Sequence, residues 1–250
     1  MGESAWSILY RDEHLVAVDK PAGIPVHHGA SRDGVPMLQR VRDRVGARVH
    51  PVHRLDRPTS GVLVFAFDAP TTAALQAQLV SSAVKRYVAL VRGVPPAEVR
   101  VDRPVPGKRD GTKVPAETRF RRLGVSEERW GLVEARPRSG RRHQIRRHLK
   151  SLSLPIVGDV NYGKGPINRL FRERFGLHRL ALHAATLRLE HPHSGDELLF
   201  SAPIRGALAR TLEALGFAEA LVGIFGDGIF GDDVFRNGVF RDGGLEDGAL

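Results

Sequence analysis

Val52-His53-Arg54-Leu55-Asp56-Arg57-Pro58-Thr59-Ser60-Gly61 carries one carboxylate, Asp56, two residues after one arginine and one residue before another. The segment runs straight into Val62-Leu63-Val64-Phe65-Ala66-Phe67, the longest uninterrupted apolar run of the chain. A short apolar run bounded by turn residues predicts a strand buried on both faces. Pro58 and Gly61 mark the turn ahead of it. Asp56 is then expected at the mouth of a buried sheet, between guanidinium groups that favour its charged form. That environment suits a nucleophile better than a proton donor. A salt-bridged turn carboxylate, with Thr59 and Ser60 as caps, would use the same residues equally well, so the stretch alone leaves both readings open.

Outward from this strand, apolar segments alternate with breaks. Ile8–Tyr10 and Leu15–Val18, separated by Arg11-Asp12-Glu13-His14, predict a hairpin, which Lys20-Pro21-Ala22-Gly23 ends. Helical spacing covers 39–48, 71–84, 142–152 and 204–215, and strands are expected at 86–91, 131–136, 182–190 and 197–200. The proline-rich segment 93–118 predicts an irregular excursion or a short hairpin. Strands outnumber helices and do not alternate with them regularly, so the class is α+β with a mixed sheet. In 223–250 the pentapeptide Gly-Ile-Phe-Gly-Asp occurs twice, and Val-Phe-Arg-Asn-Gly is followed by Val-Phe-Arg-Asp-Gly. Phenylalanines diluted by Gly and Asp make no helical or strand stripe, so residues 1–222 are read as one catalytic unit and 223–250 as a mobile tail.

The chain has 250 residues and a net charge of +10, with 42% hydrophobic and 26% charged residues, the profile of a globular protein. No cysteine is present, which excludes disulfides, Cys-ligated zinc, iron–sulfur clusters and thiol catalysis within these residues. No apolar run approaches the ~20 residues that cross a bilayer, and a cytoplasmic protein with no membrane partner is expected. The tail is acidic at −4, leaving +14 on the first 222 residues. From Arg136 to Lys150 lie seven Lys/Arg, two His and no acid. Like charges at that density repel unless an anion is present, and Arg binds phosphate bidentately, so nucleic acid is the expected partner.

Other chemistries find no support. Gly-x-Gly-x-x-Gly, Gly-x-Ser-x-Gly and His-Glu-x-x-His are absent. Gly158-Asp159-Val160-Asn161-Tyr162-Gly163-Lys164-Gly165 approaches a phosphate loop, but Gly165 replaces the metal-binding Ser/Thr. Pro166 and Gly163 are expected to spoil the helix that should follow. No metal and no organic cofactor is expected.

His53–Gly61 resembles the catalytic motif of the RluA-type pseudouridine synthases. Three further segments agree in order. Asp12–His27 is similar to the family's opening hairpin, and Lys85-Arg86-Tyr87 to its Lys-x-Tyr strand. Ser139-Gly140-Arg141-Arg142-His143-Gln144-Ile145-Arg146 resembles its Thr-Gly-Arg-x-His-Gln-Ile-Arg segment. Gly158-Asp159, Tyr162-Gly163, Asn168-Arg169 and the 175–184 stretch are similar to the tRNA pseudouridine-65 (TruC-like) subgroup. The likeness spans about residues 8–215. It implies a pseudouridine synthase fold, with a mixed, mostly antiparallel sheet, flanking helices and a central active-site cleft. It implies Asp56 as nucleophile, Tyr87 against the target uracil and aiding removal of the C5 proton, and Arg146 paired with Asp56. Arg54 would enter the space left by a flipped base, Leu182 would wall an apolar pocket, and Arg141, Arg142 and Arg147 would contact RNA. The implied activity is isomerisation of a uridine in tRNA by a monomer. The same reaction on ribosomal RNA, or a non-catalytic RNA-binding protein on the same scaffold, are the alternatives. No S4-like module is expected ahead of residue 8, the 93–118 excursion is short for the subgroup, and the repetitive tail has no counterpart in it.

Overall fold

The structure, a computed structural model, describes residues 6–28, 34–107 and 112–225. The opening hairpin forms as expected: β1 (Ser7–Arg11) pairs antiparallel with β2 (Leu15–Lys20). Its turn is set by Asp12, whose Oδ1 accepts the His14 and Leu15 amides at 2.7 and 2.8 Å. β4 (Ser60–Ala66) follows β3 (His50–Pro51) and is buried at every residue. Two faces account for this. Val62, Val64 and Ala66 pack with Leu15 and Ala17 on one side, while Leu63 and Phe65 pack with Val16 and Val18 on the other. Helix α1 (Met37–Val45) covers the second side, and α2 (Ala69–Ser81) places Leu75 against the first. Such alternation inside a continuous apolar run is what burial on both faces requires.

The other strands are β5 (Val84–Arg92), β6 (Glu98–Asp102), β7 (Val105–Pro106), β8 (Lys113–Val114), β9 (Glu117–Ser126), β10 (Trp130–Pro137), β11 (Leu182–Glu190) and β12 (Glu197–Ser201). The main sheet runs β1-β2-β4-β11-β5-β10-β9-β6, with β12 on β11 and β3 on β4, and β7-β8 forms a separate hairpin. Among the described residues only β4 and β11 pair in parallel, with His183 opposite Ser60 and Ala184 opposite Gly61. The expected mixed, mostly antiparallel α+β architecture is present. Here Gly61 has no substitute: its φ is +112°, and a Cβ would lie 2.1 Å from the Ala184 carbonyl oxygen.

Three helices pack on the largest core: α3 (Gln144–Ser151), α4 (Gly165–Phe175) and α5 (Gly206–Ala214), joined by α6 (Ala218–Phe225). Four expectations need correction. The helix read over 71–84 stops at Ser81, because Val84 enters β5 opposite Arg188. The 93–118 excursion contains the short hairpin, but Glu98–Asp102 is also a full strand on β9, a ten-residue strand whose Arg119, Arg121 and Arg122 obscure its alternation. A helix does begin at Gly165, since Pro166 occupies its first turn, where a missing N–H costs nothing. Finally, the boundary after residue 222 falls inside α6, where Leu221 and Ile224 continue one buried face and Arg86 holds the Gly223 carbonyl at 3.1 Å. The rest of the repetitive tail, 226–250, lies outside the described residues.

Beside Gly61, the fold buries a polar chain. Arg179 Nη2 donates to Ser60 Oγ at 2.8 Å, and Ser60 Oγ meets His183 Nδ1 at 2.7 Å. His183 Nε2 faces the Ala202 carbonyl at 2.7 Å, so the ring carries its proton on Nε2 and accepts from Ser60 on Nδ1. Burial pushes His183 down to about 3. Between its ordinary value and that one, the unfolded chain binds a proton that the folded chain refuses. Stability therefore falls as pH drops below about 6.5, by up to ~1.4 kcal/mol per pH unit for this group. Urea denaturation at pH 7.5 and pH 5 should show wild type losing more stability over the interval than His183→Gln. His53, pushed down to about 4 by burial, contributes equally to both proteins. Equal losses would contradict the assignment.

Candidate active site

Asp56 lies in the loop that leads into β4, and this loop is held from behind. The Val52 amide donates to the Val64 carbonyl at 3.0 Å, and His53 Nε2 accepts the Val64 amide at 3.2 Å. On the other flank Lys20, fully buried, donates to the carbonyls of Pro21 and Ile24 at 2.7 Å each and of Arg57 at 3.3 Å. Gly23 and Arg57 exchange two further bonds of 2.8 Å, amide to carbonyl one way and guanidinium to carbonyl the other. Burial brings Lys20 down to about 7, against the opposing pull of Asp19 and Asp56. The hairpin exit thus clamps the residue next to Asp56, and the Thr59 amide closes the turn on the Asp56 carbonyl at 2.9 Å.

The Asp56 side chain is 21% exposed. Its ion pair is with Arg146, Nη1 to Oδ2 at 3.0 Å, ninety residues further along the chain. The pair is the one the family resemblance implied, whereas the expectation that the flanking arginines hold Asp56 is corrected: Arg57 turns to Gly23, and Arg54 is exposed. Arg146 itself is 4% exposed and is fixed bidentately by Asp159, Nε to Oδ2 and Nη2 to Oδ1, both at 2.8 Å. Burial opposes its charge, but the Asp159 and Asp56 contacts outweigh that and hold it above its ordinary value. Asp159 Oδ1 also accepts the Asn161 and Tyr162 amides at 2.9 and 3.0 Å, and burial, which would raise it, loses to Arg146 and these amides. Asp159 is a site residue that reading by function missed. Its signal was the Gly158-Asp159 pair, where Gly158 (φ +78°) passes 2.0 Å, measured from a hypothetical Cβ, from the Arg179 carbonyl.

Tyr87 sits on β5 between Ala184 of β11 and Ala135 of β10, packed against two of the core clusters. Burial first, and the Asp56 charge second, push its phenol above the ordinary range. Asp56 and Tyr87 are therefore electrostatic neighbours, and the phenol keeps its proton at neutral pH. Leu182 is buried at the start of β11, in the cluster against which Tyr87 packs.

His143, at φ +55°, stands at the N-cap of α3 with its Nε2 3.8 Å from Asp56 Oδ1.

The basic run 136–150 divides. Arg136 bonds the buried Glu134, Arg138 approaches Glu117, and Arg146 is internal. Arg147 donates from Nε to the Tyr162 hydroxyl at 2.9 Å and from Nη1 to the Pro106 carbonyl at 3.3 Å. Acids outside the run therefore neutralise part of a stretch that holds none. Arg141 and Arg142 remain exposed. Away from this site, an open cavity of about 930 Å³ lined by Tyr10, His14, His191 and His193 lies toward the Ala66 end of β4. Beside it His14, Asp68 and His193 bring potential ligand atoms within 4.8 Å of one another. The His14 and His193 rings stack at 3.6 Å and Asp68 caps α2 through Thr71, so the cluster is already used structurally.

A carboxylate paired with a buried arginine thus stands beside a strand tyrosine, at the interior strands of a mostly antiparallel sheet. The family model described as RNA pseudouridylate synthase matches residues 14–151, and the chain belongs to that family. It is 38% identical over 86% of its length to a tRNA pseudouridine synthase C of Vibrio cholerae, covering 98% of that protein. To the tRNA pseudouridine synthase C of Salmonella typhimurium it is 39% identical, covering 86% of this chain and 91% of the relative. Among solved structures, human RNA pseudouridylate synthase domain containing 4 superposes with a TM-score of 0.67 at 28% identity, covering 84% of this chain and 92% of that one. Among the described residues, no helix is long and apolar enough to cross a membrane.

Replacing Asp159 by Asn leaves the Arg146 charge buried and half-partnered. Breaking such a pair costs about 3–5 kcal/mol, which a urea denaturation midpoint measures. A loss below ~1 kcal/mol would remove Asp159 from this role.

Proposed function

We propose that this chain converts a uridine of tRNA to pseudouridine, of the position-65 type, with Asp56 as nucleophile. The observation that carries the reading is the Asp56 carboxylate, open on one side and held on the other by Arg146, next to the protonated phenol of Tyr87. The isomerisation breaks the bond between C1′ and N1, turns the base, and joins C5 to C1′; C5 loses a proton and N1 gains one. Ordinary glycosidases need a second carboxyl group to protonate a departing group. Here the base never leaves, so a single carboxylate suffices. Tyr87 lies against the uracil as a neutral ring, and Leu182 supports that wall.

A paired base must leave its stack before Asp56 can reach it, at a cost of a few kcal/mol. Arg54, exposed two residues from Asp56, fills the gap, while Arg141 and Arg142 bind phosphates and offset the cost. The preference for tRNA is supported by the names of relatives that are 37–39% identical. All the groups named lie on one chain, which supports a monomer, and a tRNA substrate supports a cytoplasmic location.

RNA tritiated at uracil C5 tests the reaction, since isomerisation must release that label. Wild type should release it from tRNA; Asp56→Asn should bind tRNA with unchanged affinity and release none. Release by the Asn variant would remove Asp56 as nucleophile, and mapping the product to ribosomal RNA instead would overturn the substrate. Independently, Arg141→Ala with Arg142→Ala should lower the slope of log K against log salt by about two. An unchanged slope would show that these side chains face away from RNA.

A further inference from the structure

We propose that His143 is a positioning residue for the nucleophile, its Nε2–H closing on Asp56 Oδ1 while Arg146 holds Oδ2. The inference rests on the reading of Asp56 as nucleophile and goes beyond it, since it assigns work to a side chain that the reaction itself does not require. Arg146 alone fixes one oxygen, and a terminal carboxylate torsion is broad, so the other oxygen is free to swing. His143 Nε2 stands 3.8 Å from that second oxygen, longer than a hydrogen bond but of the kind that tightens when substrate is bound.

The proton on the ring is set by its far side. Arg147 Nε donates to the Tyr162 hydroxyl at 2.9 Å, and that hydroxyl meets His143 Nδ1 at 3.0 Å. A phenol has a single proton to give. With its oxygen accepting from Arg147, Tyr162 donates to Nδ1, which leaves the ring proton on Nε2, directed at Asp56. The opposite tautomer would set a lone pair against the carboxylate. Tyr162 packs edge-on to the ring at 5.7 Å, and its amide is bound by Asp159 Oδ1. The loop 159–162 therefore braces both holders of Asp56, Arg146 through Asp159 and His143 through Tyr162.

Backbone geometry agrees. His143 takes a left-handed conformation, uncommon for a residue other than glycine. It occupies the N-cap of α3 without capping it, where Ser, Thr, Asp or Asn would be preferred. The ring's pKa lies below the ordinary histidine value. Burial is the main cause; Arg146, Arg142 and Arg147 act in the same direction, and Asp56 opposes them. Tyr162, from the loop before α4, is a further titratable group in contact with it. A neutral N–H orients the carboxylate without neutralising it. Protonation would put an imidazolium against the nucleophile, so the rate should fall on an acid limb below the usual histidine range.

Single-turnover tritium release from C5-labelled tRNA, with tRNA affinity and thermal midpoint measured alongside, tests this on the full chain. His143→Ala should slow release by about 10- to 100-fold, the scale of a misplaced reacting group, with affinity unchanged. His143→Gln, which returns an N–H at similar reach but cannot titrate, should recover to within about threefold of wild type and lose the histidine acid limb. Tyr162→Phe should slow release in the wild-type background and not in His143→Ala, a coupling that only a shared path gives. A wild-type rate for His143→Ala, no recovery with Gln, or additive effects with Tyr162→Phe would each overturn the proposal. Where His143→Ala fails to fold, the Gln and Phe variants carry the test. Activity in Asp56→Asn would instead overturn the nucleophile itself; a silent Asp56→Asn beside a fully active His143→Ala would defeat only the role of His143.

Discussion

Arg146 is a guanidinium removed from water and shared by two carboxylates, Asp159 through two bonds and Asp56 through one. Burying such a charge costs several kcal/mol unless every donor finds an acceptor. The surrounding structure supplies the acceptors. Gly158 lets the loop pass against the Arg179 carbonyl, and Asn168 ties both sides of that loop, accepting from the Gly158 amide and donating to the Asp159 carbonyl. Asp159 is fully enclosed, whereas Asp56 stays partly exposed. One positive charge thus stands between two negative ones, and the uncompensated charge lies on the carboxylate that faces outward.

The sheet topology makes that meeting possible. The parallel pairing of β4 with β11 demands a glycine at 61 and brings the loop before β4 alongside β5, where Tyr87 stands between its neighbours. The Lys20–Gly23–Arg57 bonds then keep the backbone beside Asp56 from drifting. Elements distant in sequence fix a single carboxylate from several sides, which is how a site on a loop acquires the rigidity of a sheet.

Charge is redistributed by the same folding. The run 136–150 reads as an unbroken basic surface, yet the buried Glu134 draws in Arg86, Arg121 and Arg136, and Glu117 is approached by Arg100, Arg119 and Arg138. What faces solvent in the first turn of α3 and just ahead of it is a smaller set than the sequence lists. Arg147 is tied to Tyr162, so an arginine that looks like a phosphate ligand also shapes the site.

The pattern of residues by itself determined the hairpin, the doubly buried strand at 62–66, the strands at 182–190 and 197–200, and the family motif around Asp56, because these depend on local alternation, turn chemistry and short spacing. It missed β9, where arginines interrupt the alternation, and misjudged the start of α4, where Pro166 is tolerated at the first turn. Local spacing pointed to Arg54 and Arg57 as the partners of Asp56, while the family motif pointed to Arg146, which is the residue that pairs with it. Tertiary structure decided that Arg57 turns to Gly23 instead of Asp56, that Asp159 anchors Arg146, and that the His143 ring lies close to Asp56. The reason is physical: an ion pair depends on distance in space, and groups ninety residues apart can lie closer than adjacent side chains pointing away from each other.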